Sequence, residues 1–230
     1  MIPAENICVA LDTADLGRAR ELASALAREV GWLKVGLTLY GACGPEAVKA
    51  LSGFGPKVFL DLKLHDIPVQ VAGAVRAASD LGAGLLTVHA SGGPAMMKAA
   101  ADGRANGLKV VAVTVLTSIS EAELDAVWPG STPAGAVARL TSMAVDAGLD
   151  GVVMSPLEVS RMRTVVPPEF MFVVPGIRPA GKPGTTGDDQ SRVGTPGEVY
   201  AAGASVLVVG RPITGAADPV AATRLVRGIA

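Results

Sequence analysis

The sequence predicts a single (β/α)8 barrel, α/β in class, running through residues 1–230 as one domain. Three observations lead there. Eight short runs rich in Val, Leu and Ile alternate with eight Ala-rich amphipathic stretches, the pattern of a parallel sheet covered on its faces. Half of the residues are hydrophobic and only 3% are aromatic, which suits aliphatic strand–helix packing better than a sandwich of large rings. Eight such units in 230 residues fit a closed barrel. An open doubly wound sheet is the runner-up. It normally has fewer strands and a Gly-rich first turn, and the first turn here, ALDTADLGRA, has none.

In chain order the expected strands are ICVAL (7–11), WLKVG (32–36), KVFLDLK (57–63), GLLTVHA (84–90), KVVAVTVLT (109–117), GVVMS (151–155), MFVVPG (171–176) and SVLVVG (205–210). Helices are expected near 15–30, 44–53, 67–81, 93–105, 133–147, 157–165, 196–203 and 217–228. Two stretches read as long loops. TSISEAELDAVWPGSTP follows the fifth strand and has room for a short helix. RPAGKPGTTGDDQSRVGTP follows the seventh, is rich in Gly, Pro, Thr and Asp and is too polar to pack; loops of that length in a compact domain are usually lids or disordered inserts.

Composition excludes several classes. The formal net charge of −1 gives no electrostatic footprint for nucleic acid or an anionic membrane. No apolar run reaches the ~18 residues of a membrane span. The start, MIPAENICVALD, lacks a basic segment followed by an apolar one, so a cytoplasmic location is expected. Cys8 and Cys43 form neither a metal motif nor a disulfide framework and read as reduced thiols.

In a barrel of this type, chemistry sits at the C-terminal ends of the strands. Those ends carry Asp12, Lys34, Asp61 with Lys63, His89, Thr117, Ser155, Gly176 to Arg178, and Gly210 with Arg211. Polar groups therefore converge on one rim, with apolar residues behind them. The densest cluster is VFLDLKLHDIP (58–68), where an apolar strand ends in Asp61, Lys63, His65 and Asp66. Because side chains alternate along a strand, residues 59, 61 and 63 share one face, so Asp61 and Lys63 should both point into the mouth. Ile67-Pro68 suits a helix entry. His65 and His89 read as structural, since neither accompanies a nucleophile or a metal motif.

DLKLHDIP resembles the active-site signature of the orotidine 5′-monophosphate decarboxylase family. The resemblance extends over the chain through VALD, LKVG, VHASGG, VTVLTS, PGIRP, DDQSRV and VVGRPI, in that order. It implies decarboxylation of orotidine 5′-monophosphate to UMP and CO2 in pyrimidine biosynthesis, with no cofactor and no metal. It further implies that Lys63 protonates C6, that Asp61 lies beside the substrate carboxylate and holds Lys63, and that Lys34 and Asp66 complete the array. By the same resemblance Asp12 and Lys34 bind ribose hydroxyls, and Thr117 beside Ser118 reads the pyrimidine. Gln190, Gly210 and Arg211 clamp the phosphate, Arg178 is a further substrate contact, and 179–191 form a lid. Asp66 and Ile67 would reach the neighbouring subunit's site, which implies a homodimer with shared sites. One departure is Val69-Gln70, where many members have Asn-Thr. Two rivals stand beside this reading: a Mg²⁺-dependent sugar-phosphate lyase of the same suprafamily, and a non-catalytic nucleotide-binding barrel.

Overall fold

All eight expected strands form in the computed structural model, which describes residues 1–179 and 192–229. They are β1 (Ile7–Ala10), β2 (Trp32–Gly36), β3 (Lys57–Leu64), β4 (Leu85–His89), β5 (Lys109–Val113), β6 (Gly151–Val153), β7 (Met171–Val174) and β8 (Val206–Val209). Each pairs in parallel with its sequence neighbours. β8 closes onto β1, Ile7 opposite Leu207 and Val9 opposite Val209. The sheet is a closed barrel, so the open-sheet alternative falls.

The helices are α1 (Leu16–Leu26), α2 (Leu37–Cys43), α3 (Pro45–Ser52), α4 (Pro68–Asp80), α5 (Gly93–Asp102), α6 (Glu121–Val127), α7 (Pro133–Asp146), α8 (Val159–Arg163), α9 (Pro196–Ala201), α10 (Arg211–Thr214) and α11 (Pro219–Arg227). Local chemistry sets their starts. Pro45, Pro68, Pro133, Pro196 and Pro219 each open a helix, where a missing N–H has no cost. Asp15, Thr132 and Asp218 accept backbone N–H groups as caps. Ser120 and Glu123 form a reciprocal capping box, and this starts the short helix expected inside the loop after β5.

Strand alternation divides the core into two layers. Val9, Leu33, Val35, Val58, Leu60, Leu86 and Val88 face outward and pack under the helices. Cys8, Ala10, Trp32, Phe59, Leu85 and Val111 face inward and, with Val173, Val206 and Val208, fill the barrel. The barrel interior is thus a packed core up to the layer where Lys34 and Asp61 begin. Cys8 lies fully buried in it, and burial pushes its thiol pKa up.

Several boundaries differ from expectation. α1 ends at Leu26, not near 30. α2 and α10 were not anticipated, because each is short and buries one residue, Leu39 and Ile213 respectively. β5 stops at Val113 and β6 at Val153. The apolar run continues past β5 because Val115 turns into the mouth and is buried there outside the ladder.

Candidate active site

The C-terminal mouth of the barrel holds a cavity of about 320 Å³. Its floor is apolar, formed by Ala10, Phe59, Val113, Val153, Val173 and Val208. Above that floor stand the charged groups that the strand ends deliver.

β1 ends just before Asp12, β2 carries Lys34 and β3 carries Asp61 and Lys63, so three adjacent strands bring four charges together. They form a chain. Lys34 Nζ donates to Asp12 Oδ1 at 2.9 Å and lies 3.4 Å from Asp61 Oδ2. Lys63 Nζ donates to Asp61 Oδ1 at 2.8 Å. Lys34 and Asp61 are buried, with side chains 10% and 11% exposed, whereas Lys63 is 29% exposed and reaches toward the opening. Burial works against ionising Asp61, but the Lys34 and Lys63 charges, with hydrogen bonds from Lys63 and Thr87, hold its pKa below the ordinary carboxylate value. Burial likewise works against the Lys34 cation, and Asp61 and Asp12 together raise its pKa above the usual lysine value. Both groups therefore carry full charge at neutral pH. A buried charge set of this kind is weak support for stability and strong support for a task.

The opposite wall comes from the later strands. Thr117, buried in the turn after β5, lines the cavity with Leu116 and Ser118. Gly176 follows β7 with φ of +78°, a turn that favours glycine, and brings Arg178 to the rim. The segment is stitched at its base. Arg178 N–H donates to the Gly194 carbonyl at 2.9 Å, and Gly194 N–H donates to the Gly176 carbonyl at 3.1 Å. Gly210 precedes α10 and Arg211 opens it, both at the cavity edge. Among the described residues a Cβ on Gly210 would meet nothing closer than Ala10 Cβ at 3.7 Å, and Gly210 lines the cavity. Among the described residues the lining carries two carboxylates, Asp12 and Asp61, with two lysines and two arginines.

Eight of the expected site residues thus meet in one cavity: Asp12, Lys34, Asp61, Lys63, Thr117, Arg178, Gly210 and Arg211. Asp66 and Ile67 do not line it. Asp66 is exposed and its Oδ1 accepts the Ile67 N–H at 2.6 Å. Ile67 and Val69 are 60% and 66% exposed, and Gln70 is exposed beside them. Gln190 and most of the expected lid lie outside the described residues. His65 and His89 pair as rings 5.5 Å apart, and His89 stays below its ordinary pKa through burial, His65 and Lys63. Ser155 is fully buried and accepts the Leu157 N–H, a capping role.

Two residues with parts in the site were not singled out from sequence. Gly36 ends β2 where a Cβ would fall 2.9 Å from both Asp12 Oδ1 and Lys34 Nζ. Thr87 on β4 is fully buried and bonded to both Asp61 and Lys63. A hydroxyl at an inward-facing position of an otherwise apolar strand was the available signal for Thr87.

Among the described residues no group of three or more His, Cys, Asp or Glu side chains could hold a metal ion.

Comparison with known proteins agrees over nearly the whole chain. The profile of the orotidine 5′-phosphate decarboxylase / HUMPS family matches residues 5–226. An orotidine 5′-phosphate decarboxylase of an Anaeromyxobacter species (strain K) is 54% identical over 226 residues, 98% of each chain. One from Thermobifida fusca is 48% identical over 220 residues, 95% of this chain and 93% of its own. The crystal structure of orotidine 5′-phosphate decarboxylase from Lactobacillus acidophilus superposes with a TM-score of 0.84 at 38% identity, covering 97% of this chain and 98% of that one. With its barrel, its charged mouth and these relatives, the chain belongs to the orotidine 5′-phosphate decarboxylase / HUMPS family.

Proposed function

We propose that the chain is an orotidine 5′-phosphate decarboxylase, a carboxy-lyase that converts orotidine 5′-monophosphate to UMP and CO2 for pyrimidine biosynthesis in the cytoplasm. The observation that carries this reading is the Lys34–Asp61–Lys63 chain of charges set on an apolar floor. Breaking the bond from C6 to the carboxylate leaves an electron pair on a ring carbon with little delocalisation. The ammonium of Lys63 stabilises that pair and then donates its proton to C6, and solvent returns a proton to the amine. Asp61 anchors Lys63 by a 2.8 Å hydrogen bond, so the ammonium is aimed before substrate arrives. Lys34 and Asp12 are the ribose partners in this reading, Thr117 the pyrimidine partner, and Arg178 a further contact. Arg211 offers a forked donor to the phosphate, with Gly210 leaving room beside it. Gln190 would complete the clamp from a closing lid.

The exposed run from Asp66 to Gln70 favours a homodimer in which Asp66 and Ile67 complete the partner's site. Asp66 lies outside its own chain's cavity, and large apolar residues flank it in solvent.

A Mg²⁺-dependent sugar-phosphate lyase of the same suprafamily is the rival reading, and here Asp12 and Asp61 are both engaged by Lys34. The test is the fall in orotidine-nucleotide absorbance on adding purified protein, with and without exhaustive chelation. Turnover that survives EDTA is expected. Loss in EDTA with restoration by Mg²⁺ would replace this reading by the lyase, and no turnover under either condition would leave a binding barrel.

A further inference from the structure

Between β3 and β4 the ladder slips. Leu60 pairs with Leu86, but the next pair is Leu64 with Val88, so β3 advances four residues while β4 advances two. Asp61, Leu62 and Lys63 therefore sit on a bulge, the device by which a strand re-aims a side chain beside an active site. Lys63 itself has φ of +52°, in the left-handed region that a residue with a Cβ seldom enters and that surrounding contacts must hold.

The contact that holds it is one side chain. Thr87, fully buried on β4, accepts the Lys63 backbone N–H on its Oγ1 at 2.8 Å. The same hydroxyl donates to Asp61 Oδ1 at 2.9 Å. A hydroxyl is the smallest group that can accept and donate at once, and both uses are made here. Asp61 Oδ1 is also the oxygen that anchors Lys63 Nζ. Thr87 thus ties the backbone of Lys63 to the anchor of its ammonium and closes a ring of hydrogen bonds from N–H to Nζ. A residue of equal shape without the hydroxyl would leave a partly buried N–H unpaired and release the bulge.

We propose that Thr87 is a positioning residue of the decarboxylation: its hydroxyl fixes the strained turn at Lys63 and so the aim of the ammonium. It acts through Asp61 and Lys63 and is not assigned a contact with substrate. The inference rests on the decarboxylase reading, which wild-type turnover decides alone.

The test compares Thr87→Val, which keeps the branched shape, with Thr87→Ser, which keeps the hydroxyl. In Thr87→Val, kcat should fall about 10- to 100-fold, the range for losing a hydrogen bond to a charged group, while the UMP Kd stays within about threefold. Thr87→Ser should recover kcat to within about threefold of wild type. The proposal is overturned by kcat in Thr87→Val within that same margin of wild type. It is equally overturned by a Ser variant as impaired as Val, or by UMP affinity lost in step with kcat, which would make Thr87 a general support. If the Val variant does not fold, amide hydrogen exchange in the wild-type protein decides. The Lys63 N–H should be protected like a ladder amide, and exchange at the rate of an open loop would sink the proposal whether or not the protein turns over any nucleotide.

Discussion

At the scale of single residues, the site depends on where one ammonium points. Lys63→Ala removes the proposed acid but none of the groups assigned to ribose or phosphate. Turnover should fall by at least the ~10²–10⁴-fold typical of a lost general acid, with UMP affinity nearly unchanged. Steady-state kinetics and a UMP titration measure both, and a variant that keeps a tenth of wild-type kcat would remove Lys63 from that role. Gly36 makes a subtler point. In Gly36→Ala the new Cβ would displace two flexible ends, Lys34 Nζ and Asp12 Oδ1, from 2.9 Å. Because neither is backbone, stability should change by less than about 1 kcal/mol. The Lys34–Asp12 contact should open, however, and small displacements of binding groups are costly, so kcat/KM should fall about tenfold or more. A variant that loses stability but keeps kcat/KM would show that glycine serves folding at 36. The residues legible in the sequence were those at strand ends, most of them charged, with Thr117 and Gly210 added by the resemblance. Gly36 and Thr87 escaped because one acts by lacking a side chain and the other by a hydroxyl common in strands.

At the scale of elements, strands and helices were legible wherever burial and pairing coincide. Val58, Leu60 and Val88 are buried because they lie in the ladder. They were not legible where burial occurs without pairing, as at Val115, and although the strand itself was legible through Lys63, the slip in its pairing there was not. Contacts between the first and last helices were also hidden, since they join residues nearly 200 positions apart. Glu29, in the turn after α1, accepts from Arg224 and Arg227 of α11 at 2.7 and 3.1 Å, and Arg227 also donates to the Ile2 carbonyl at 3.2 Å. Hydrogen bonds from Arg224 hold the Glu29 pKa below its ordinary value, against burial and with help from both arginine charges. A carboxylate depressed in the folded state contributes stability above its unfolded pKa of about 4.3 and loses it as pH falls through the folded value. Glu29→Gln should therefore cost about 1 kcal/mol at pH 7, since solvent at half-exposed Arg224 screens the pair. The deficit should shrink as wild type is taken below its carboxylate range. Urea unfolding of both proteins at neutral and acidic pH reads this, and a deficit independent of pH would assign the effect to packing.

At the scale of the whole molecule, one chain leaves Asp66 outside its own cavity and Ile67 and Val69 in solvent. Only the resemblance pointed across a two-fold axis in the sequence. Nothing in the spacing of DLKLHDIP could say whether Asp66 serves its own Lys63 or another's, because a turn residue is free to face either way. In a two-fold dimer with shared sites, each site would combine Lys63 of one chain with Asp66 of the other. Lys63→Ala and Asp66→Asn homodimers should each be nearly inactive. In a mixed dimer one site carries both defects and the other carries neither. Random exchange at equal concentrations makes about half of the dimers mixed, and each of those has one intact site of two. Mixing and re-associating the two inactive variants should thus restore roughly a quarter of wild-type activity. The assay follows partial denaturation and refolding of the mixture, with each variant refolded alone as control and mixed dimers verified by differential tagging. If mixed dimers form and no activity returns, Asp66 acts within its own subunit, and the exposed apolar run beside it needs another partner.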